Sequence, residues 1–296
     1  QRLEALRRAG VTVPWAAAGL AHSELQRRVD EGQAALPAVV ASPPQGMAAA
    51  LPVPLVPHRS VTLDLARLER SGHLVPTQTR TALAEQFRQM KRPLLRRARS
   101  PGATAHRLAL IMVTSALPGE GKTFCAINLA MSMAAEIDTS VLLVDADVVR
   151  PEVLQRLGIT ASLGLMDLLT QPGLSLSEVV LGTNVPKLSI LPAGTGSVVA
   201  TELLASASMD RLLEFLAGSD ANRVVIMDGP PLLVTSEAAV LAARVGQVVL
   251  VVESAKTPRS AVADAFALVE ACPNVVSVLN KAEDSGTALA YGYGYG

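Results

Sequence analysis

The sequence is poor in aromatic residues: they make up 3% of its 296 residues, although half of all residues are hydrophobic. A sizeable core must therefore be built mainly from Ala, Val, Leu and Ile. Such a core suits a parallel sheet covered by helices better than an all-β sandwich. The composition alone thus favours an α/β fold.

Cysteine is scarce as well, because the chain holds only Cys125 and Cys272, far apart and without metal-ligand spacing. We interpret both as buried free thiols of a reducing compartment, not as a disulfide or zinc ligands. Long apolar runs are missing too, since none reaches the roughly 20 residues that span a bilayer, and no signal peptide is recognised. These absences predict a cytoplasmic protein without a membrane span of its own.

Net charge is also absent, because 26 Lys and Arg residues balance 26 Asp and Glu residues. The balance hides an asymmetry: residues 1–100 hold 15 basic and 7 acidic residues, whereas residues 101–296 hold 11 and 19. The basic part could contact a neighbouring subunit, a membrane surface or nucleic acid. A solvated basic helix is an equally good interpretation of the charge alone.

Composition and periodicity divide the chain into five segments. They are a helical leader over 1–35, a Pro- and Ala-rich linker with one short helix over 36–78, a helix over 79–106, a strand–helix domain over 107–284, and a flexible tail over 285–296. An apolar stripe at helical spacing marks the third segment: Leu83, Phe87, Met90 and Leu94. Within it, Pro93 predicts a kink or a helix end near Arg92.

From residue 107 onward, apolar strand candidates alternate with helical stretches. The strand candidates are 108–113, 141–144, 188–191, 224–227, 248–252 and 275–279. The helical stretches between them include 123–135, 201–217, 236–243 and 259–271. Continuous apolar strands that alternate with helices predict a doubly wound, mostly parallel sheet, with its ligand at the carboxyl ends of the strands.

The strongest motif is Ser-Ala-Leu-Pro-Gly-Glu-Gly-Lys-Thr over 115–123, which follows a predicted strand and opens a predicted helix. A phosphate-binding loop requires this context, and its backbone N–H groups would converge on the β-phosphate. Lys122 would reach the β and γ oxygens, and the Thr123 hydroxyl would bind magnesium. The residues predicted to contact the nucleotide are Pro118, Gly119, Glu120, Gly121, Lys122, Thr123 and Phe124.

Three aspartates follow predicted strands, at the edge of the sheet where the phosphate loop also lies. Asp145 and Asp147 stand at and just past the end of one strand, and Asp228 ends another, as a Walker B carboxylate does. Asp147 and Asp228 would bind magnesium, and Asp145 or Asp147 would act as a general base. Taken alone, Asp145 and Asp147 could instead cap the helix after Pro151, which the nearby phosphate loop makes a weaker interpretation.

Together these motifs resemble those of the bacterial tyrosine kinases, the cytoplasmic autokinases of polysaccharide export. The segment 115–123 is similar to their Walker A loop, in which a non-glycine at the position of Ala116 is normal. The remaining matches are Asp145, Asp147 and Arg150 of an Asp-x-Asp motif, and Asp228 with two following prolines of Walker B. The resemblance covers about residues 79–296 and implies a P-loop NTPase fold with ATP and Mg²⁺ as cofactors.

Two features outside the nucleotide site extend the resemblance. In the family, a helix before the kinase core carries Glu-x-x-Arg-x-x-Arg and mediates ring-like self-association. Glu85, Arg88 and Lys91 match it, with Lys in place of the last Arg, which keeps the charge but loses the guanidinium fork. The Gly-Tyr tail looks like the family's autophosphorylated cluster and holds all tyrosines of the chain: Tyr291, Tyr293 and Tyr295.

The resemblance therefore implies an autokinase that phosphorylates its own tail in trans within a ring, with Asp145 favoured over Asp147 as the base. Lys122 would neutralise charge on the transferring group. The details look most like the tyrosine autokinases of exosortase (PEP-CTERM) exopolysaccharide loci. A membrane-spanning polysaccharide co-polymerase activator is implied as a separate chain, so the protein is expected at the inner face of the cytoplasmic membrane. No nucleic acid partner is expected.

Three alternatives remain open from the residues. A MinD/ParA-like switch ATPase shares the fold but carries a signature lysine where this chain has Leu117. A GTPase is suggested by residues 280–283, Asn-Lys-Ala-Glu, which approximate the guanine motif Asn-Lys-x-Asp except at its last position. A scaffold whose nucleotide site only controls assembly is the third alternative, and the tyrosine tail argues against it.

Overall fold

The computed structural model describes residues 56–77, 80–101 and 105–282. Within these ranges the strands are β1 Arg59–Val61, β2 Leu110–Ser115, β3 Ser140–Asp145, β4 Leu181–Thr183, β5 Leu188–Leu191, β6 Arg223–Asp228, β7 Gln247–Glu253 and β8 Val275–Asn280. The helices are α1 Leu65–Arg70, α2 Ala82–Ala98, α3 Ala105–Leu108, α4 Lys122–Ala134, α5 Val153–Leu157, α6 Leu165–Thr170, α7 Leu176–Val179, α8 Ala200–Leu204, α9 Ala207–Gly218, α10 Ser236–Ala242 and α11 Arg259–Leu268. The leader predicted over 1–35 and the tail over 285–296 lie outside the described residues.

The eight strands form one sheet in the order β1-β4-β5-β3-β6-β2-β7-β8. Neighbouring strands are parallel except β4 and β5, which pair antiparallel across a short connection. Each of the six strands predicted from the sequence is present within two residues of its predicted bounds. The expected doubly wound, mostly parallel α/β sheet is confirmed.

Side chains of the central strands alternate between two buried layers, one on each face of the sheet. Leu110 and Met112 of β2 belong to one layer, and Ile111 and Val113 belong to the other. Both layers are built almost entirely from aliphatic residues, as the scarcity of aromatics predicts. The two cysteines are buried and free, also as predicted.

Residues 56–77 pack on this domain, so the predicted linker does not extend over them. Strand β1 pairs with β4 and extends the sheet. Helix α1 forms where a short helix is predicted, capped by the Asp64 carboxylate, which accepts a hydrogen bond from the N–H of Arg67. Leu68 and Leu74 are buried in the layer that also contains α4, and this apolar burial holds the segment on the domain.

Helix α2 runs through Pro93, so of the predicted kink or helix end near Arg92, the helix end is wrong. A proline inside a helix removes one hydrogen bond and costs about 3 kcal/mol. Burial of Phe87 and Leu94 against the domain offsets this cost. The Gln247 side chain also donates a hydrogen bond of 3.1 Å to the Leu94 carbonyl.

The helix predicted over 201–217 is two helices, α8 and α9. Ser206 separates them, and its hydroxyl accepts a hydrogen bond from the N–H of Met209, which caps the second helix.

Among the described residues, no helix is both long enough and apolar enough to cross a bilayer.

Candidate active site

The loop that is predicted to cradle phosphate lies between β2 and α4. Gly119 and Gly121 adopt φ angles of 85° and 98°, in the left-handed region that glycine tolerates best. Gly121 is the N-cap of α4, so the first N–H groups of this helix have no capping side chain. Free N–H groups at a helix N-terminus form a binding site for phosphate.

Lys122 is buried at the start of α4 between two of the predicted aspartates. Its ammonium lies 2.8 Å from Oδ2 of Asp147 and 3.8 Å from Oδ1 of Asp228. Burial alone would lower the pKa of Lys122, but the charges of Asp228 and Asp147 more than offset this, and the pKa is raised. Lys122 therefore carries its positive charge throughout the physiological pH range.

Asp228 ends β6 and is fully buried beside Lys122. Neither of its carboxylate oxygens has a hydrogen-bond partner among the described residues. Burial raises the pKa of Asp228 to about 6, against the opposing charge of Lys122. A buried carboxylate with unused oxygens is a costly arrangement that a bound cation would relieve.

Asp145 and Asp147 each use one oxygen to bind the local backbone. Asp147 accepts a hydrogen bond of 3.0 Å from the N–H of Arg150, and Asp145 accepts one of 3.1 Å from the N–H of Val153, at the start of α5. The helix-cap interpretation therefore holds in part for Asp145. Its Oδ1 has no partner in the described part of the chain, and burial, followed by the charge of Asp228, raises its pKa to about 8.

A cleft of about 240 Å³ opens beside these groups. It is lined by Pro118, Gly119, Lys122, Asp147, Val149, Arg150, Glu152, Pro231, Val234 and Thr235. The structure thus brings all three strand-end carboxylates close to the phosphate loop. Asp147 lines the cleft, Asp228 is buried beside Lys122, and Asp145 lies opposite Asp228 on the neighbouring strand without lining the cleft.

The donor set fits magnesium bound together with a nucleotide. Among the described residues there is no cluster of three or more His, Cys, Asp or Glu side chains that could hold a metal by themselves. Mg²⁺ usually takes one or two protein oxygens together with phosphate oxygens and waters. The Thr123 hydroxyl, Asp147 and Asp228 supply such a partial set.

Two predicted nucleotide contacts have side chains that are engaged inside the protein. Glu120 is buried, and its Oε2 accepts a hydrogen bond of 2.6 Å from the N–H of Leu117. The Phe124 ring packs against His73, with the ring centroids 5.0 Å apart. The side chain of Glu120 is therefore occupied, whereas the ring of Phe124 is half-buried and lines a surface cavity with Lys281.

Sequence reasoning missed the residues that hold the phosphate loop from behind. Asn280 donates a hydrogen bond of 2.8 Å to the carbonyl of Glu120, and Lys281 donates one of 2.7 Å to the carbonyl of Gly119. The sequence offered a signal for them, because Asn280 and Lys281 open the segment that approximates a guanine motif. In the structure they contact the protein's own loop.

The predicted oligomerisation residues do not share one exposed face. Lys91 is buried, donates a hydrogen bond of 2.6 Å to the Ser132 carbonyl and lies 2.7 Å from Oε1 of Glu136. Glu85 and Arg88 form an ion pair with each other. Lys91 therefore does not lie on an exposed face with Glu85 and Arg88, because α2 turns this side chain towards α4. The self-association expected of these residues stays a prediction. The tail tyrosines lie outside the described residues.

No protein-family model matches the chain. The chain is 29% identical over 230 residues to the tyrosine-protein kinase YwqD of Bacillus subtilis, which covers 77% of this chain and 92% of YwqD. It is 30% identical over 210 residues to the succinoglycan biosynthesis transport protein ExoP of Rhizobium meliloti, of which it spans about a quarter (26%).

A solved structure extends the comparison to the fold. The crystal structure of the VpsO kinase domain is 31% identical in sequence and covers 66% of this chain and 98% of that domain, with a TM-score of 0.53. The match therefore includes nearly the whole of an independently solved kinase domain. The narrower resemblance to the PEP-CTERM-associated group stays a prediction.

Proposed function

The chain belongs to the bacterial tyrosine kinases, a family of protein-tyrosine kinases, and from this premise we propose that it is an ATP-dependent autokinase acting on its own C-terminal tyrosines. The acceptors are Tyr291, Tyr293 and Tyr295. The observation that carries the proposal is the ion pair of Lys122 and Asp147 at the phosphate loop, beside the buried carboxylate of Asp228, which has no hydrogen-bond partner among the described residues.

Lys122 is the residue that changes partner when ATP binds. In the structure its ammonium is paired with Asp147, and a γ-phosphate entering the cleft would compete for it. Once it is paired with this phosphate, the Lys122 ammonium would neutralise the charge that develops on the transferring phosphoryl group, as in other phosphoryl transfers. Thr123, Asp147 and Asp228 would hold Mg²⁺, which would neutralise negative charge on the phosphates.

The tyrosine hydroxyl must lose its proton as its oxygen forms the new bond to the γ-phosphorus. The bond from that phosphorus to the bridging oxygen breaks, and ADP leaves with the electron pair. We assign the proton to Asp145 by family resemblance, and its Oδ1 has no partner among the described residues. Because its pKa is raised to about 8, only the ionised form of Asp145 can accept the proton. Asp147, which lines the cleft, is the alternative acceptor.

The proposal extends to assembly and partners. We propose transfer in trans between copies of the chain in a ring, with Glu85 and Arg88 of α2 at the contact and Lys91 supporting the helix from within. Similarity to ExoP, a protein named for succinoglycan biosynthesis transport, supports a role in exopolysaccharide synthesis or export. A membrane-spanning co-polymerase in a separate chain would activate the kinase and hold it at the inner face of the membrane.

Incubation of the purified full chain with ATP and Mg²⁺, followed by mass spectrometry of the C-terminal peptide, tests the proposal. We expect phosphate on Tyr291, Tyr293 or Tyr295 in the wild type and none in Lys122→Met. Lys256→Met is the matched control, because this lysine is exposed and pairs only with Glu253 among the described residues. Labelling of the tail by Lys122→Met would contradict the assignment of the site. ATP hydrolysis without phosphotyrosine would favour a switch ATPase.

A further inference from the structure

The outer side of the phosphate loop is held by residues from the ends of β7 and β8. Asn280 donates to the carbonyl of Glu120, and Lys281 donates to the carbonyl of Gly119. The partners lie about 160 positions apart in the sequence, so these are tertiary contacts between the last strand of the sheet and the loop after β2. Two successive carbonyl groups of the loop are thus fixed from the side of β8.

Because the peptide group is planar, these two contacts at the carbonyl groups also restrict the directions of the N–H groups that would face a phosphate. In a trans peptide the C=O and the following N–H point in opposite directions, and no described peptide bond is cis. A donor that holds the Gly119 carbonyl therefore directs the N–H of Glu120 away from β8. The bond from Asn280 to the Glu120 carbonyl does the same for the N–H of Gly121. These are two N–H groups of the predicted phosphate cradle.

The side chain of Glu120 ties the same loop to β7. Its Oε2 accepts from the N–H of Leu117. Its Oε1 accepts from the N–H of Glu253, the last residue of β7, at 3.4 Å, and from the hydroxyl of Thr257 just after that strand. Lys281 also pairs with Glu253 at the end of β7, at 3.2 Å. The loop is thus held at several points by one connected polar network.

The backbone at both contacts is specialised for this approach. Lys281 has a φ of 55°, in the left-handed region that non-glycine residues rarely adopt. A Cβ atom at Gly121 would lie 2.2 Å from Nδ2 of Asn280, so only glycine leaves room for the amide. Strained backbone of this kind is retained where the surrounding structure requires it.

We propose that Asn280 and Lys281 are positioning residues that preorganise the phosphate cradle by fixing its peptide planes from behind. They act through the loop and raise the affinity for phosphate whatever base the nucleotide carries. The inference rests on the proposed function only in that the loop binds a nucleotide. It assigns the Asn-Lys pair a role different from the guanine recognition that its sequence approximates.

The test measures the binding of a fluorescent ADP to the full chain, and its displacement by ADP and by pyrophosphate. Asn280→Leu removes the amide donor without adding charge, and we expect the Kd of both competitors to rise about tenfold, as for the loss of one hydrogen bond in a phosphate site. Lys281→Met should have a similar effect, and Lys281→Arg, which keeps a donor, should restore much of the affinity.

Asn274→Leu is the matched control, because Asn274 makes the same kind of contact at the opposite end of β8. Its side-chain amide donates a hydrogen bond of 3.0 Å to the Gly246 carbonyl. Asn274→Leu should lower the melting temperature about as much as Asn280→Leu does, but it should keep the wild-type Kd for ADP and for pyrophosphate. If Asn280→Leu does not fold, Lys281→Met tests the inference by itself, because this side chain is about half exposed.

Unchanged Kd values in folded Asn280→Leu and Lys281→Met would overturn the inference while leaving the proposed function intact. Weaker binding of ADP with unchanged binding of pyrophosphate would also overturn it, because Asn280 would then contact the base. Failure of the wild-type chain to bind ADP would contradict the proposed function and this inference together.

Discussion

The ammonium of Lys91 in α2 lies 2.7 Å from Oε1 of Glu136, just beyond the end of α4, and donates to the Ser132 carbonyl. The pair fastens α2 to the helix that begins at the phosphate loop. Lys91→Met keeps the length of the side chain but removes the charge, and we expect it to lower the free energy of unfolding by about 2 kcal/mol. Urea unfolding followed by circular dichroism measures this loss.

The matched control for Lys91→Met is Arg88→Met, one turn earlier on the same helix and about one-third exposed. Its effect on unfolding should be well under 1 kcal/mol, as is usual for surface ion pairs. Arg88→Met should instead weaken self-association in analytical ultracentrifugation, if the proposed ring contact is correct. Dissociation by Lys91→Met without loss of stability would contradict the intramolecular role of Lys91.

Asp145→Asn tests the proposed base. The asparagine oxygen can still accept the hydrogen bond from the N–H of Val153, so the cap of α5 and the fold should be retained. We expect kcat for tail phosphorylation to fall at least about 100-fold, as for the loss of a general base, with little change in the KM for ATP.

Asp147→Asn provides the comparison for Asp145→Asn, and quantitative phosphotyrosine assays at several ATP concentrations separate the two. Because Asp147 pairs with Lys122, its replacement should change the KM for ATP as well. If Asp147→Asn alone lowers kcat and Asp145→Asn is active, the base is Asp147.

The strands and the phosphate loop could be predicted because their signals are local. An apolar run followed by glycines, Lys122 and Thr123 identifies both the strand and the start of α4. In contrast, β1 and β4 are only three residues long, which is too short for any periodicity. They are defined by pairing with each other across distant parts of the sequence.

The roles of Lys91, Asn280 and Lys281 could not be predicted for the same reason. At helical spacing, Lys91 falls on a charged stripe with Glu85 and Arg88, and only the packing of α2 on α4 shows that it is buried. Asn280 and Lys281 belong to a segment that approximates the guanine motif, but their partners are backbone carbonyl groups, which carry no sequence signature. Hydrogen bonds to backbone carbonyl groups are therefore the part of these roles that cannot be predicted from the sequence.

The hydrogen bonds of Asp167 are expected to make the folding stability of the protein sensitive to acid. Its Oδ2 accepts hydrogen bonds from the N–H groups of Gly164 and Thr195, at 2.8 and 3.0 Å. Burial would raise the pKa of Asp167, but these N–H groups outweigh it and the pKa is lowered. The stabilisation is therefore complete above the unfolded pKa of about 3.9 and is lost as the pH falls through the lower folded pKa.

We therefore expect Asp167→Asn to be less stable than the wild type by about 1 kcal/mol at pH 7, with the difference shrinking below pH ~4. Thermal unfolding measured across this pH range gives the result. Asp264→Asn, on α11 and outside these contacts, serves as the control and should differ little from the wild type in stability at pH 7. A constant difference between wild type and Asp167→Asn at all pH values would contradict the prediction.

Asp228→Asn should separate stability from function. The buried carboxylate has no hydrogen-bond partner among the described residues, and its only close cation there, Lys122, is 3.8 Å away and nearer to Asp147. Burial outweighs the attraction of Lys122 and raises the pKa of Asp228 to about 6, so its charge costs stability above that pH. Replacing it by a neutral amide should therefore stabilise the ligand-free protein by about 1 kcal/mol near pH 8.

The same Asp228→Asn substitution removes a proposed Mg²⁺ ligand, so the stabilisation by ATP with Mg²⁺ should largely disappear. Differential scanning calorimetry without ligand, and then with saturating ATP and Mg²⁺, measures both effects on one sample. A wild type whose melting temperature rises on adding ATP and Mg²⁺, beside an Asp228→Asn variant that starts higher and rises little, is the expected pair. An Asp228→Asn variant that is destabilised without ligand yet fully stabilised by ATP and Mg²⁺ would mean that Asp228 holds the fold and not the metal.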